Sequence, residues 1–296
     1  MAPTATSRVT TIQWIGLIAI TSWALIAVTG WPLLRNGITD DGAAGAVARW
    51  AIALVWGTTL MALVIPSVIS LTIARVITPL APIAAAIFWW TTSDTTNGAI
   101  TTAATATAAI IVGTGEFGQR SVQASAYGDE QRFVLRAPSA FLVASVIAWL
   151  LTAAAIIISM GTLGHNNLVA TVVGLVAIAL AVLSAPRWHR LSRRWLVLVP
   201  AGVVVHDPLV LSETAMWRRH HIVGASLATS DTSAADLTGP ASGHLIEIRL
   251  SETATVVLTD GRANPRGRAI HLTAGLIAPS RPGAAIAAMR QRGIAA

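Results

Sequence analysis

The chemistry open to this chain is narrow. Its 296 residues carry seven histidines, 13 carboxylates and 20 basic side chains, every one of the latter an arginine, and no cysteine. Thiolate metal sites, iron–sulfur clusters, disulfides and cysteine nucleophiles are thereby excluded. Gly113-Thr114-Gly115-Glu116-Phe117-Gly118 matches the G-x-G-x-x-G dinucleotide fingerprint, but that motif works where a strand of a βαβ unit turns into a helix. Here a long apolar run precedes it, so the glycines are expected to end a helix and let the chain bend. His220 and His221 are adjacent, and neighbours in a strand point to opposite faces, which is unsuited to sharing one metal. With Arg218 and Arg219 they form a basic run, read as a solvated strand end or as a contact for anionic lipid or a protein partner. His206-Asp207 directly before Pro208 reads as turn chemistry rather than an acid–base pair. Adjacent carboxylates, which a membrane-embedded transferase would need, occur at Asp40-Asp41 and Asp129-Glu130, both in turn-like surroundings. Arg75 lies inside an apolar run, as an interfacial anchor or, in a transporter, a substrate or gating residue. No catalytic, cofactor-binding or metal-binding constellation emerges, and no cofactor is expected.

Two regions with different solvents must position these residues. Hydrophobic side chains make up 54% of the chain and charged ones 11%, with a mean hydropathy of +0.67, which points to an integral membrane protein. A membrane-crossing helix needs about 20 mostly apolar residues, and suitable runs cover 12–34, 44–65, 70–90, 98–113, 139–160 and 167–185. The first follows Arg8 and is too long for a signal-peptide core, so it is expected to be a retained span. The third is interrupted by Pro79 and Pro82. The fourth is short and rich in threonine (Thr101, Thr102, Thr105, Thr107), whose hydroxyls can bond their own helix carbonyls. Six spans leave both termini on one side. Arg8, Arg75, Arg120, Arg132, Arg136 and the cluster Arg187, Arg190, Arg193 and Arg194 then share a face, with Arg35 and Arg49 opposite. Basic flanks stay in the cytoplasm, so a multi-pass protein of the inner (plasma) membrane with both termini cytoplasmic is expected.

The expected organisation is a cytoplasmic tail (1–11), a six-helix membrane domain (12–185) with a cytoplasmic loop (114–138), a basic juxtamembrane linker (186–194) and a cytoplasmic domain (195–296). In that last region the hydropathy period shortens to strand length at 196–199, 203–206, 209–211, 245–250, 254–259 and 269–273. A polar stretch, 228–243, reads as a mobile loop, and 284–292 as a helix stopped by Gly293. From residue 186 onward 13 arginines face seven carboxylates. Attraction of that excess to anionic phospholipid is worth roughly 1 kcal/mol per basic group near the surface. Arg187, Arg190, Arg193 and Arg194 are the expected membrane-surface contacts, and nucleic acid is not expected as a partner, since no reading helix gathers the arginines.

Strands closed by one helix are the element order of pleckstrin-homology-like (PH-like) barrels. At 125–138 (SAYGDEQRFVLRAP) and 191–208 (LSRRWLVLVPAGVVVHDP) the chain resembles a group of multi-pass membrane proteins of actinobacteria with no established function. Residues 202–228 are similar to bacterial PH-like domains. The apolar runs and the element order give the expected fold, an α-helical membrane bundle of about six transmembrane helices followed by a small β-rich PH-like barrel with a C-terminal helix; the resemblance brings no activity with it. The leading expectation is a non-enzymatic scaffold or accessory subunit of a membrane or envelope complex, with a membrane or cytoplasmic protein partner. A small-molecule transporter or channel is the alternative, and a membrane-embedded transferase the third.

Overall fold

The computed structural model describes residues 5–39, 42–163, 165–260 and 264–294, and separates Met1–Ser125 from Ala126–Ala296 as two units. In the first unit, α1 (Ala5–Gly37) and α2 (Ala43–Val64) are continuous. The third apolar run is divided at Pro79 into α3 (Val68–Ile77) and α4 (Leu80–Thr92); Pro79 stands at the N-cap of α4, where a missing N–H leaves no helical bond unmade. The weakly apolar fourth run is helical too, as α5 (Thr95–Gly113), and α6 (Gly115–Gln123) follows after a bend of 65°. Among the described residues five helical segments of the whole chain are long and apolar enough to cross a membrane, or six if the bent α5–α6 pair is one span.

The low hydropathy of α5 has a packing explanation. Gly98, Thr101, Ala104, Thr105, Ala108 and Val112 recur every three or four residues and are buried. A Cβ at Gly98 would stand 2.3 Å from the Trp89 ring, so α4 and α5 approach as closely as a bare glycine permits. Thr101 donates to the Thr29 hydroxyl of α1 at 2.9 Å, and Thr105 and Thr107 donate back to the carbonyls of Thr101 and Ala103 at 2.8 Å. Small residues that let backbones meet, with hydroxyls as cross-helix donors, are how helices associate where apolar burial offers no gain over lipid. A second clamp joins α1 to α2: the Trp23 indole donates to the Trp56 carbonyl at 3.0 Å and Trp56 returns the bond to the Trp23 carbonyl at 3.1 Å.

The second unit opens with a strand, β1 (Gln131–Val134), and not with a helix. Next comes the hairpin α7 (Ser139–Thr162) and α8 (Asn167–Ser192), then β2 (Trp195–Val199), β3 (Gly202–His206) and β4 (Ala215–Arg218). A single 3-10 turn, Arg219–His221, leads into β5 (Ile222–Leu227), β6 (Ala235–Asp236), β7 (Ile246–Asp260), β8 (Asn264–Ile277) and α9 (Pro282–Gln291). The described strands form two four-stranded sheets, ordered β1-β2-β3-β4 and β5-β7-β8-β6, with isolated bridges Leu135–Pro279 and Leu211–Leu258. No closed barrel is formed by the described strands. Leu196, Leu198, Val203, Val205 and Trp217 from one sheet meet Ile246, Ile248, Leu272 and Ile277 from the other, and Ala285, Ile286 and Met289 of α9 complete that core. Gly202 makes the tight β2–β3 turn at φ +154°, where a Cβ would sit 2.0 Å from the Trp217 carbonyl oxygen.

Three sequence expectations change here. The segment 114–138, expected to be a loop, holds α6 and β1, and β1 pairs along its whole length with β2, so the sheet module begins before the last two long helices and does not start at residue 195. Residues 186–194 are no linker: α8 runs through Pro186 to Ser192 and Arg194 adjoins β2 directly. The polar stretch 228–243 is held, because β6 pairs with β8 and Leu237 is buried in the core.

Candidate functional site at the root of the helical hairpin

α7 and α8 are clamped to one another near both ends. The Ser159 hydroxyl donates to the Ala170 carbonyl at 2.8 Å beside the tip, and the Trp188 indole donates to the Ser145 carbonyl at 3.2 Å toward the root. Most of the surface between their ends is apolar and much of it is uncovered, including Leu142, Ile147, Leu151, Leu168, Leu175 and Val182. Side chains of this kind on two helices of membrane-crossing length call for an apolar solvent.

Both roots of this hairpin are embedded in the sheet module through arginines. At the exit of α8, Arg194 is 1% exposed; its Nε donates to Asp207 Oδ1 at 2.7 Å and its Nη2 to Asp207 Oδ2 at 2.5 Å. Its Nη1 donates to the carbonyl of Arg136, and Nη2 lies 3.4 Å from the Thr238 carbonyl. At the entry to α7, Arg136 donates to the carbonyls of Pro279 (3.1 Å) and His244 (2.5 Å), and the Ser139 amide donates to the Pro240 carbonyl at 3.1 Å. The planar fork of arginine suits this task, since it satisfies a bidentate carboxylate and spare backbone carbonyls together. Asp207 also accepts the Leu209 amide at 3.2 Å, so the turn role read from the sequence coexists with a buried ion pair that the sequence reading missed. The segment 236–244 straps across the root, the Thr238 amide bonding Asp236 at 2.7 Å and Ala241 bonding the Thr238 hydroxyl at 3.0 Å.

Beside the root, on the outer face of the first sheet, the Arg132 guanidinium lies 5.5 Å from the Trp195 ring, and Trp195 stacks on His206 at 4.7 Å. Glu130 pairs with Arg132 at 2.8 Å, which holds its carboxyl below the usual range. Burial first, and the Arg193 charge second, pull the His206 imidazole below its ordinary value.

The predicted site residues divide accordingly. Arg187, Arg190 and Arg193 are exposed at the end of α8, as a membrane-surface contact requires. Arg194 is not a surface contact; burial and Asp207 remove it from that group. Arg218 and His220 are exposed, but Arg219 donates to the Gly293 carbonyl at 3.0 Å and so caps the C-terminal end of α9, while His221 lies 3.2 Å from Glu252. Arg75 places Nε 3.5 Å from the Val112 carbonyl at the end of α5. Arg120 does the same for Leu63 at the end of α2 (2.9 Å), and Arg49 for Ile38 just past α1 (3.1 Å). Helix C-termini carry unbonded carbonyls and partial negative charge, so a cap role accounts for all three arginines. Thr114 breaks the glycine motif, capping α6 by accepting the Phe117 amide at 3.2 Å. Asp40 and Asp41 lie outside the described residues. No cluster of three metal-ligating side chains occurs among the described residues.

No family model, curated protein or solved structure matches this chain.

Proposed function

We propose that this chain is a multi-pass inner-membrane protein, both termini cytoplasmic, that works as a non-enzymatic scaffold or accessory subunit of a membrane or envelope complex. Its sheet module is a PH-like domain: two facing sheets closed by a helix that follows the last strand. One observation carries the reading. The hairpin α7–α8 is inserted between the paired strands β1 and β2, with both roots locked by Arg136, Arg194 and Asp207. A module built around two apolar helices in this way is a rigid platform at the membrane surface, not a tethered domain on a free linker. Arg187, Arg190 and Arg193 then meet anionic phospholipid.

The transporter reading rested on Arg75, whose guanidinium caps α5; a transferase would need an adjacent acidic pair, and Glu130 is engaged by Arg132. The test is crosslinking and gentle solubilisation at native expression. Recovery of one defined larger complex, lost when the root is opened by Asp207→Asn, is expected. Recovery of the protein alone, or loss of a solute uptake activity in Arg75→Ala with the complex intact, would count against the scaffold.

A further inference from the structure

Three elements of the second unit run from the hairpin root to the same remote end. β1 reaches the root at Val134 and begins, at Gln131, opposite Leu198 at the far end of β2. β4 starts opposite Val205 beside the root and ends with Arg218 opposite Gly202. α9 leaves the root, where Ser280 donates to the Val134 carbonyl, and its ten residues carry the chain about 15 Å away. At that far end the Arg219 guanidinium bonds the Gly293 carbonyl and Arg292 donates to the Asp129 carbonyl. Arg218 and Arg290 are exposed there, as is Val223 on the bulge between Ile222 and Gly224, and Met216, two residues before Arg218 on the same face of β4, is exposed beside them on the root side. The acids nearby are Asp129, Glu130, taken by Arg132, and Glu252, against His221. The acceptors of Arg219 and Arg292 here are neutral carbonyls, which offer no counter-charge.

We infer that this remote surface is a docking site for an acidic, partly apolar polypeptide segment, and that it is turned away from lipid. This rests on reading α7 and α8 as a membrane hairpin: the root then lies at the bilayer, and the basic run Arg218 to His221 stands one element's length, about 10–15 Å, from it. Arginine charge with exposed Met216 and Val223 beside it fits carboxylate side chains interspersed with apolar ones; a nucleic acid would leave the apolar residues unused.

Because the chain has no cysteine, Arg190→Cys and Arg218→Cys each provide a unique labelling site in the full-length protein in nanodiscs carrying headgroup spin-labelled lipid. A fluorophore at 190 is expected to be quenched and one at 218 to be spared. Equal quenching at both overturns the inference and leaves the hairpin reading standing; quenching at neither defeats the hairpin reading itself. In zwitterionic nanodiscs a short Glu/Leu peptide should bind more tightly than its Gln/Leu counterpart. Arg218→Glu with Arg290→Glu should weaken it about tenfold, while Arg187→Glu, Arg190→Glu and Arg193→Glu together leave it unchanged. Equal binding of the two peptides, tighter binding of a single-stranded oligonucleotide, or a loss confined to the root variant would refute it.

Discussion

Replacing Asp207 with asparagine tests the root lock most directly. The carboxylate is fully buried and takes two guanidinium donors of Arg194, at 2.7 and 2.5 Å, plus the Leu209 amide. Asp207→Asn keeps the volume and one acceptor oxygen but leaves the Arg194 charge buried without a counter-charge, facing only neutral oxygens: that amide oxygen and the Arg136 and Thr238 carbonyls. Breaking a buried pair from one side costs about 3–5 kcal/mol, a large share of the roughly 5–15 kcal/mol that holds a typical domain together. At about 1.4 kcal/mol per decade, exchange of the most protected β2 and β3 amides should rise by roughly two to more than three orders of magnitude. Hydrogen exchange read by mass spectrometry on the full-length protein in nanodiscs measures this strand by strand. Arg194→Met should behave alike, and Arg194→Met with Asp207→Leu should recover much of the loss, because an apolar pair leaves no unpartnered charge. Strand exchange within threefold of the parent in Asp207→Asn, or an Arg194→Met/Asp207→Leu variant whose cost equals the summed costs of Arg194→Met and Asp207→Leu, would refute the reasoning.

Further outcomes follow from other contacts. His206 titrates below its free value in the folded protein, so the unfolded chain takes up its proton first; stability present above about pH 6.5 should fall as pH drops through the folded value, and His206→Gln should flatten that dependence in thermal melts from pH 7.5 to 5. Gly202→Ala drives a Cβ against the Trp217 carbonyl, a backbone clash that cannot relax by rotamer change, and should cost more than the roughly 1–3 kcal/mol of ordinary overpacking, read as loss of folded module by limited proteolysis. Gly98→Ala, against the Trp89 ring, should cost about 1–3 kcal/mol and lower the melting temperature of the helical unit in detergent. Arg75→Met should remove a helix cap worth about 1 kcal/mol, lowering that melting temperature by a few degrees and leaving solute uptake unchanged.

Long apolar runs, a helix stopped by Gly293 and a bend at Gly113 to Gly118 were legible because each depends on local composition: apolar length, turn chemistry and capping act within a few residues. The same is true of β2 and β3, whose short apolar runs rich in valine, separated by the turn at Ala201-Gly202, read as strands in isolation. β4 and β5 were not legible, since Ala215-Met216-Trp217-Arg218 and Ile222 to Leu227 carry no alternation of their own and are strands only because β3 and β7 pair with them. β1 hid in what read as a polar loop for the same reason, its partner lying 61 residues on, beyond two helices. The arginine junction shows the division most clearly. Its composition alone marked the boundary between an apolar and an aqueous region, because charge and hydropathy are properties of residues. Only the tertiary structure could separate Arg194 from Arg187, Arg190 and Arg193, because burial beside Asp207, thirteen positions away, is a property of the pairing of β2 with β3.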